Sequence, residues 1–170
     1  MSEPLELLRG MAIFGALNDD TLRLILDGSE TVEVAAGESF FQEGDRATAL
    51  YVLQSGSVVV ERHWQDSSIV LGRLKRGDCV GEMSLIDMQP RSASVRALED
   101  CRAMKIVFAM LHRLYKQELE QYAMIMMNLG REVSRRLRLA DEHLLQLQQE
   151  YQQLQSRLTE AAVWREKPAV

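Results

Sequence analysis

Between residues 30 and 107 glycine cuts the chain into short runs, and this punctuation limits the possible folds more than any other feature. The runs TVEVAA, ALYVLQ, SVVVER, SIVLGRL, ASVRAL and RAMKIVF are rich in Val, Ile and Leu. Several alternate apolar and polar residues, which is the period of a strand with one buried face. Gly37, Gly44, Gly56, Gly72 and Gly77 separate them. QEGD, QSGS and KRGD have the composition of turns in which glycine accepts a positive φ. HWQDSS reads as a polar hairpin tip. Many short strands joined by tight turns predict an antiparallel sandwich or a small barrel.

The period changes on both sides of this region. Up to about residue 29 the chain reads as helix. LELLRGMAIF carries apolar residues at mixed three- and four-residue spacing, and NDDTLRLIL offers Asn18 as an N-cap with acids in the first turn. Residues 109–161 contain no proline and are strongly helical in pattern. From Leu119 a heptad continues without a break, its d and a positions alternating as Leu119, Ala123, Met126, Gly130, Val133, Leu137, Ala140, Leu144, Leu147, Tyr151, Leu154, Leu158 and Ala161. Such persistence points to a coiled-coil seam in a helix roughly 65 Å long. The apolar stripe is wide around AMIMMNL, where Met124, Ile125, Met127 and Leu129 flank the seam, and it narrows after Leu137. The first half is expected to touch both the β-domain and a partner helix, and the second half to project as a two-stranded coil. Gly130 and the seam alanines permit close approach. A helix folded back on its own domain is the alternative, but a monomer would expose the distal leucines. The expected organisation is a domain over residues 1–118, a dimerisation helix over 119–162 and a tail over 163–170, in which Trp164 can still pack.

Composition bounds the function. The net charge of −5 opposes broad affinity for nucleic acid or anionic membrane. Cys79 and Cys101 have no metal-binding spacing and suit small buried residues in a reduced compartment. MSEPLELLRG is acidic and interrupted, unlike a signal peptide, and no apolar run is long enough to span a bilayer. The expected location is the cytoplasm. His63, His112 and His143 are scattered, and no Ser-His-Asp set or nucleophile elbow is visible. We therefore expect no catalysis, metal or cofactor. Arg131, Arg135, Arg136 and Arg138 form a basic patch, but Glu132, Asp141 and Glu142 lie among them, as on a solvated coiled-coil flank.

VGEMSLIDMQPRSASVRA, residues 80–97, is the least ordinary stretch. Gly81-Glu82 opens onto one or two turns of helix, whose first N–H groups lack internal partners and attract anions. Gly81 lets backbone approach a ligand. Arg91 can add a fork of donors and a full positive charge. Glu82 cannot serve a phosphate, but it can accept from a hydroxyl such as a ribose 2′-OH. Ser92 adds a hydroxyl beside Arg91. Taken alone, the two charges favour a salt bridge stapling the loop over a ligand clamp, since most such pairs are solvated.

The order GEMSL…PRSASV, together with FGALNDDTL, GESFFQEGD, YVLQSGSVVV and LKRGDCVGE, resembles the cyclic nucleotide-binding domain family over residues 14–106. The resemblance implies a jelly-roll β-sandwich flanked by helices, an α+β fold continued by a long C-terminal coiled-coil helix. It also implies a bound cyclic nucleotide, cAMP preferred and cGMP the alternative. Glu82 would hold the ribose and Arg91 the cyclic phosphate, with Gly81, the N–H groups of Met83 and Ser84, and Ser92 completing the site. REVSRRLRLADEHL is similar to the helix that follows the sandwich in the catabolite activator branch. That branch uses the helix to dimerise and to cover the base, with hydroxyls where this chain has Ala140 and Asp141. It also continues into a helix-turn-helix, whereas here the pattern runs on through LLQLQQEYQQLQSRL, so sequence-specific DNA binding is not expected. The implied function is a homodimeric signalling regulator that acts on an unknown effector protein. The alternative is a structural scaffold that keeps the sandwich and coil without a ligand response.

Overall fold

The fold is that of a computed structural model describing residues 3–65 and 67–165, with side-chain surroundings described for 5–65 and 67–159. Asp66 of the hairpin tip, the side chains of Ala161 and Trp164, and residues 166–170 of the expected tail lie outside the described residues.

Helices α1 (Glu3–Gly10) and α2 (Asp19–Asp27) flank a short 3-10 turn, Ala12–Phe14. Asn18 caps α2 as its sequence predicts, its side chain accepting from Thr21 N at 2.8 Å. The described residues then form eight strands in two antiparallel sheets. One sheet has the order β1 (Glu30–Val34), β8 (Cys101–Val107), β3 (Ala49–Ser55), β6 (Cys79–Val80). The other runs β2 (Ser39–Phe41), β7 (Ser94–Ala97), β4 (Ser57–Trp64), β5 (Ser67–Lys75). The architecture is therefore a sandwich rather than a barrel. All six apolar runs picked out in the sequence are strands. β2 and β6 were not among them, because three and two residues are too few to display a period.

Two core clusters explain why β3 does not alternate. Leu50 and Val52 belong to a cluster with Phe14, Leu22, Ile25, Met104 and Ile106. Leu53, one step on, joins Val58, Val95 and Ala103 between the sheets. A strand covered on both faces needs apolar residues on both. At Gly56, with φ +83°, an added Cβ would lie 2.6 Å from Cys101 Sγ and 2.8 Å from Asp100 O. Cys79 and Cys101 are both buried.

After β8 come α4 (Phe108–Gln117) and the long α5 (Leu119–Arg165). Residues 108–117 are thus helical, and Met110, Leu111 and Leu114 bury one side of α4. The break is the single residue Glu118, at φ −139° and ψ 66°. Helix α5 has 47 residues, about 70 Å of rise. Its first turns bury Ile125 and Leu129 in the first cluster. Asn128 Nδ2 donates to Gly15 O at 2.9 Å, and Asn18 N donates to Gln121 Oε1 at 3.0 Å.

The chain divides into two compact units, residues 1–130 and 131–170. In the second, Arg135 and Arg136 both bond Glu132, at 2.6 and 2.8 Å. Its seam residues Leu137, Leu144, Leu147, Tyr151, Leu154 and Leu158 are exposed. Among the described residues no helix is long and apolar enough to cross a membrane.

Candidate functional site

The site grows from the turn after β6. Gly81 takes φ +85°, and a Cβ there would collide with Arg91 Nη1. Only glycine lets this backbone meet the arginine head. Glu82 follows in helical conformation, and Leu85 N donates back to Glu82 O at 3.0 Å to start α3 (Met83–Asp87). Met88, left-handed at φ 57°, ends it. Pro90 then returns the chain to Arg91 and β7.

The backbone of Arg91 is clamped by the QEGD turn. Gly44 N donates to Arg91 O at 2.8 Å, and Arg91 N donates to Asp45 O at 2.9 Å. Glu43 N donates to Ser94 Oγ at 2.9 Å. The side chain then runs inward, and Arg91 is only 5% exposed, Glu82 only 3%. Nη1 donates to Gly81 O at 2.9 Å and Nη2 to Ala49 O at 2.6 Å. The Phe41 ring lies under the guanidinium, 4.0 Å from Cζ to centroid. Nε is buried with no hydrogen-bond partner among the described residues.

The electrostatics follow from these contacts. Burial pulls the Arg91 pKa down, while Tyr51, Glu82 and Asp45 act through space to raise it. The guanidinium nonetheless stays charged, as arginine does in proteins. Its terminal nitrogens bond neutral carbonyls, so the positive charge is only partly offset, and a donor remains buried and unused. Such a group costs free energy until an anion arrives. A singly charged phosphate diester carries the charge and the acceptor oxygens that Nε lacks.

Gly81, Glu82 and Arg91, singled out in the sequence, converge here. Ser84 is buried in the first turn of α3. Met83 is exposed and accepts from Ser92 Oγ at 3.7 Å through its sulfur. Ala140 and Asp141 are exposed residues of the second unit. Sequence reasoning missed Phe41, Ala49 and the role of Glu43–Asp45. QEGD has only the signature of a turn, and no residue type marks a carbonyl such as that of Ala49.

The profile of the cyclic nucleotide-binding domain matches residues 31–118. The chain is 32% identical over 138 residues to the cyclic AMP receptor protein of Thermus thermophilus, covering 81% of this chain and 62% of that one. It is 38% identical over 82 residues to the cAMP-dependent protein kinase regulatory subunit of Emericella nidulans, covering 48% of this chain and 19% of the subunit. It thus spans less than two thirds of either relative's length. A solved cyclic nucleotide-binding domain from Methylobacillus flagellatus shares the fold, with a TM-score of 0.75 at 22% identity, covering 84% of this chain and 81% of that one. The profile match over half the residues, and the sandwich that carries it, place this chain in the cyclic nucleotide-binding domain family.

Proposed function

We propose that the chain is a non-catalytic, homodimeric cyclic-nucleotide sensor, with cAMP as its ligand. The observation that carries this is Arg91, a buried cation with an unused donor at the mouth of a glycine turn. Arg91 takes the cyclic phosphate, helped by the N–H groups of Met83 and Ser84 and by Ser92, and Glu82 accepts from the ribose hydroxyl. Relatives whose names carry cAMP, bacterial and fungal, support cAMP as the first ligand to test, and a cGMP-dependent protein kinase at 32% identity over 91 residues keeps cGMP as the second.

A path to the helices exists within the first unit. Leu85 of α3 belongs to the same core cluster as Leu111 and Leu114 of α4 and Ile125 and Leu129 of α5. A ligand that reseats α3 therefore biases how α4 and the first turns of α5 pack. The distal seam of α5 pairs with a second copy in our reading, and the paired helices present the signal to an effector protein in the cytoplasm.

Calorimetric titration with cAMP and with cGMP tests this reading. It expects sub-millimolar binding, tighter for cAMP, and none for Arg91→Ala. No heat and no rise in melting temperature for the wild type, at ligand concentrations up to 1 mM (on the order of 10³-fold above a micromolar Kd), would leave the scaffold reading standing instead.

A further inference from the structure

The β2–β7 pairing is irregular. Ser39 faces Arg96 and Phe41 faces Val95, so two steps on β2 match one on β7. This is a bulge, a device that re-aims side chains. In a regular strand Phe40 and Phe41 would point to opposite faces. Here both meet Tyr51, Phe40 edge-on at 5.5 Å and Phe41 tilted at 6.0 Å between centroids. The bulge brings the second ring inward, under the guanidinium of Arg91.

The choice of a ring there has a chemical consequence. An aromatic face attracts a cation through its quadrupole and occupies none of its N–H groups. A carboxylate in the same place would bond the fork and neutralise the charge. Phe41 also leads directly into the turn whose Gly44 and Asp45 clamp the Arg91 backbone. One short segment, 41–45, thus fixes the arginine at both ends.

We propose that Phe41, swung inward by the β2 bulge, is a positioning residue for Arg91, holding its guanidinium flat in the pocket while leaving its Nε and its charge to an anionic ligand. This rests on the cyclic-phosphate reading of the pocket. Phe41 touches no ligand in this scheme and acts through the arginine alone.

The test is calorimetric titration of the full chain with cAMP, for the wild type, Phe41→Leu and Phe41→Tyr, each checked for a cooperative melt. Phe41→Leu keeps apolar bulk but loses the ring face, and the affinity falls roughly 5- to 30-fold, the range of a desolvated cation–π contact. Phe41→Tyr keeps the face and stays within about 3-fold of the wild type, since tyrosine offers the same quadrupole. Packing alone would not separate the variants this way. Should Phe41→Leu fail to melt cooperatively, Phe41→Met replaces it with the same expectation. Equal affinity of Phe41→Leu and wild type, or an equal loss in Phe41→Leu and Phe41→Tyr, overturns the proposal while the site reading stands. Absence of binding by the wild type overturns the site reading and this proposal together.

Discussion

The 82–91 insert and the distal part of α5 are each left chemically incomplete, but in opposite senses. In the insert a full positive charge is buried, with Arg91 5% exposed. In the distal helix large apolar groups stand in water, with Leu147 62% and Leu158 63% exposed. A buried cation is relieved by a small anion, whereas a leucine stripe is relieved by another apolar stripe. The contrast teaches that the proposed ligand site and the proposed assembly surface call for partners of opposite chemistry. Each should then fail by itself when changed.

The largest expected effect is on the helix. Leu147→Glu with Leu154→Glu removes four seam leucines from a pair of chains, at about 1.5–3 kcal/mol each. Sedimentation should show dimer turning into monomer, and circular dichroism should show loss of distal helicity, while cAMP affinity per chain stays. An unchanged sedimentation coefficient would break the comparison at its apolar end. Next comes Arg91→Met, which keeps bulk but removes the charge. Truncating one partner of a desolvated charged contact costs about 2–5 kcal/mol of binding. The ligand-free chain should also melt lower than wild type, because Gly81 O and Ala49 O lose their donors and the buried Glu82 loses a nearby positive charge.

Smaller effects sharpen the picture. Gly56→Ala puts a Cβ at a positive φ against Cys101 and Asp100. It should cost the sandwich about 2–4 kcal/mol in urea unfolding, with self-association intact. The smallest change is with pH. The Glu132 carboxylate is held below its ordinary value of 4.5, first by its bond to Arg135, then by Arg136, against the opposing effect of burial. A depressed acid stabilises the fold above its unfolded pKa, and that contribution is lost as pH falls through the folded value. Helicity should therefore weaken below about pH 4.5 in the wild type by roughly 0.5–1 kcal/mol, the scale of a surface ion pair. A matched titration of Glu132→Gln should lack this component.

Much of this architecture is legible in the sequence where a period has room to show. The six longer strands, the Asn18 cap and the long helix from Leu119 are each marked by residues that carry their pattern. Sandwich and barrel share the same strand period, so only the pairing order decides between them. The break at Glu118 is one residue wide and lacks Pro or Gly to announce it. At the site, Gly81, Glu82 and Arg91 are visible because their side chains, or the lack of one, carry the chemistry. Ala49 acts through its carbonyl and Phe41 through a bulge. Neither a backbone oxygen nor a shift of register is written in residue types.

The central claim is that the Arg91 pocket takes a cyclic phosphate, and a crystal structure grown with saturating cAMP tests it most directly. The account predicts a phosphate oxygen within hydrogen-bonding distance of Arg91 Nε, with the ribose hydroxyl on Glu82. A cAMP-free pocket, or a nucleotide whose phosphate lies away from Arg91, would contradict it.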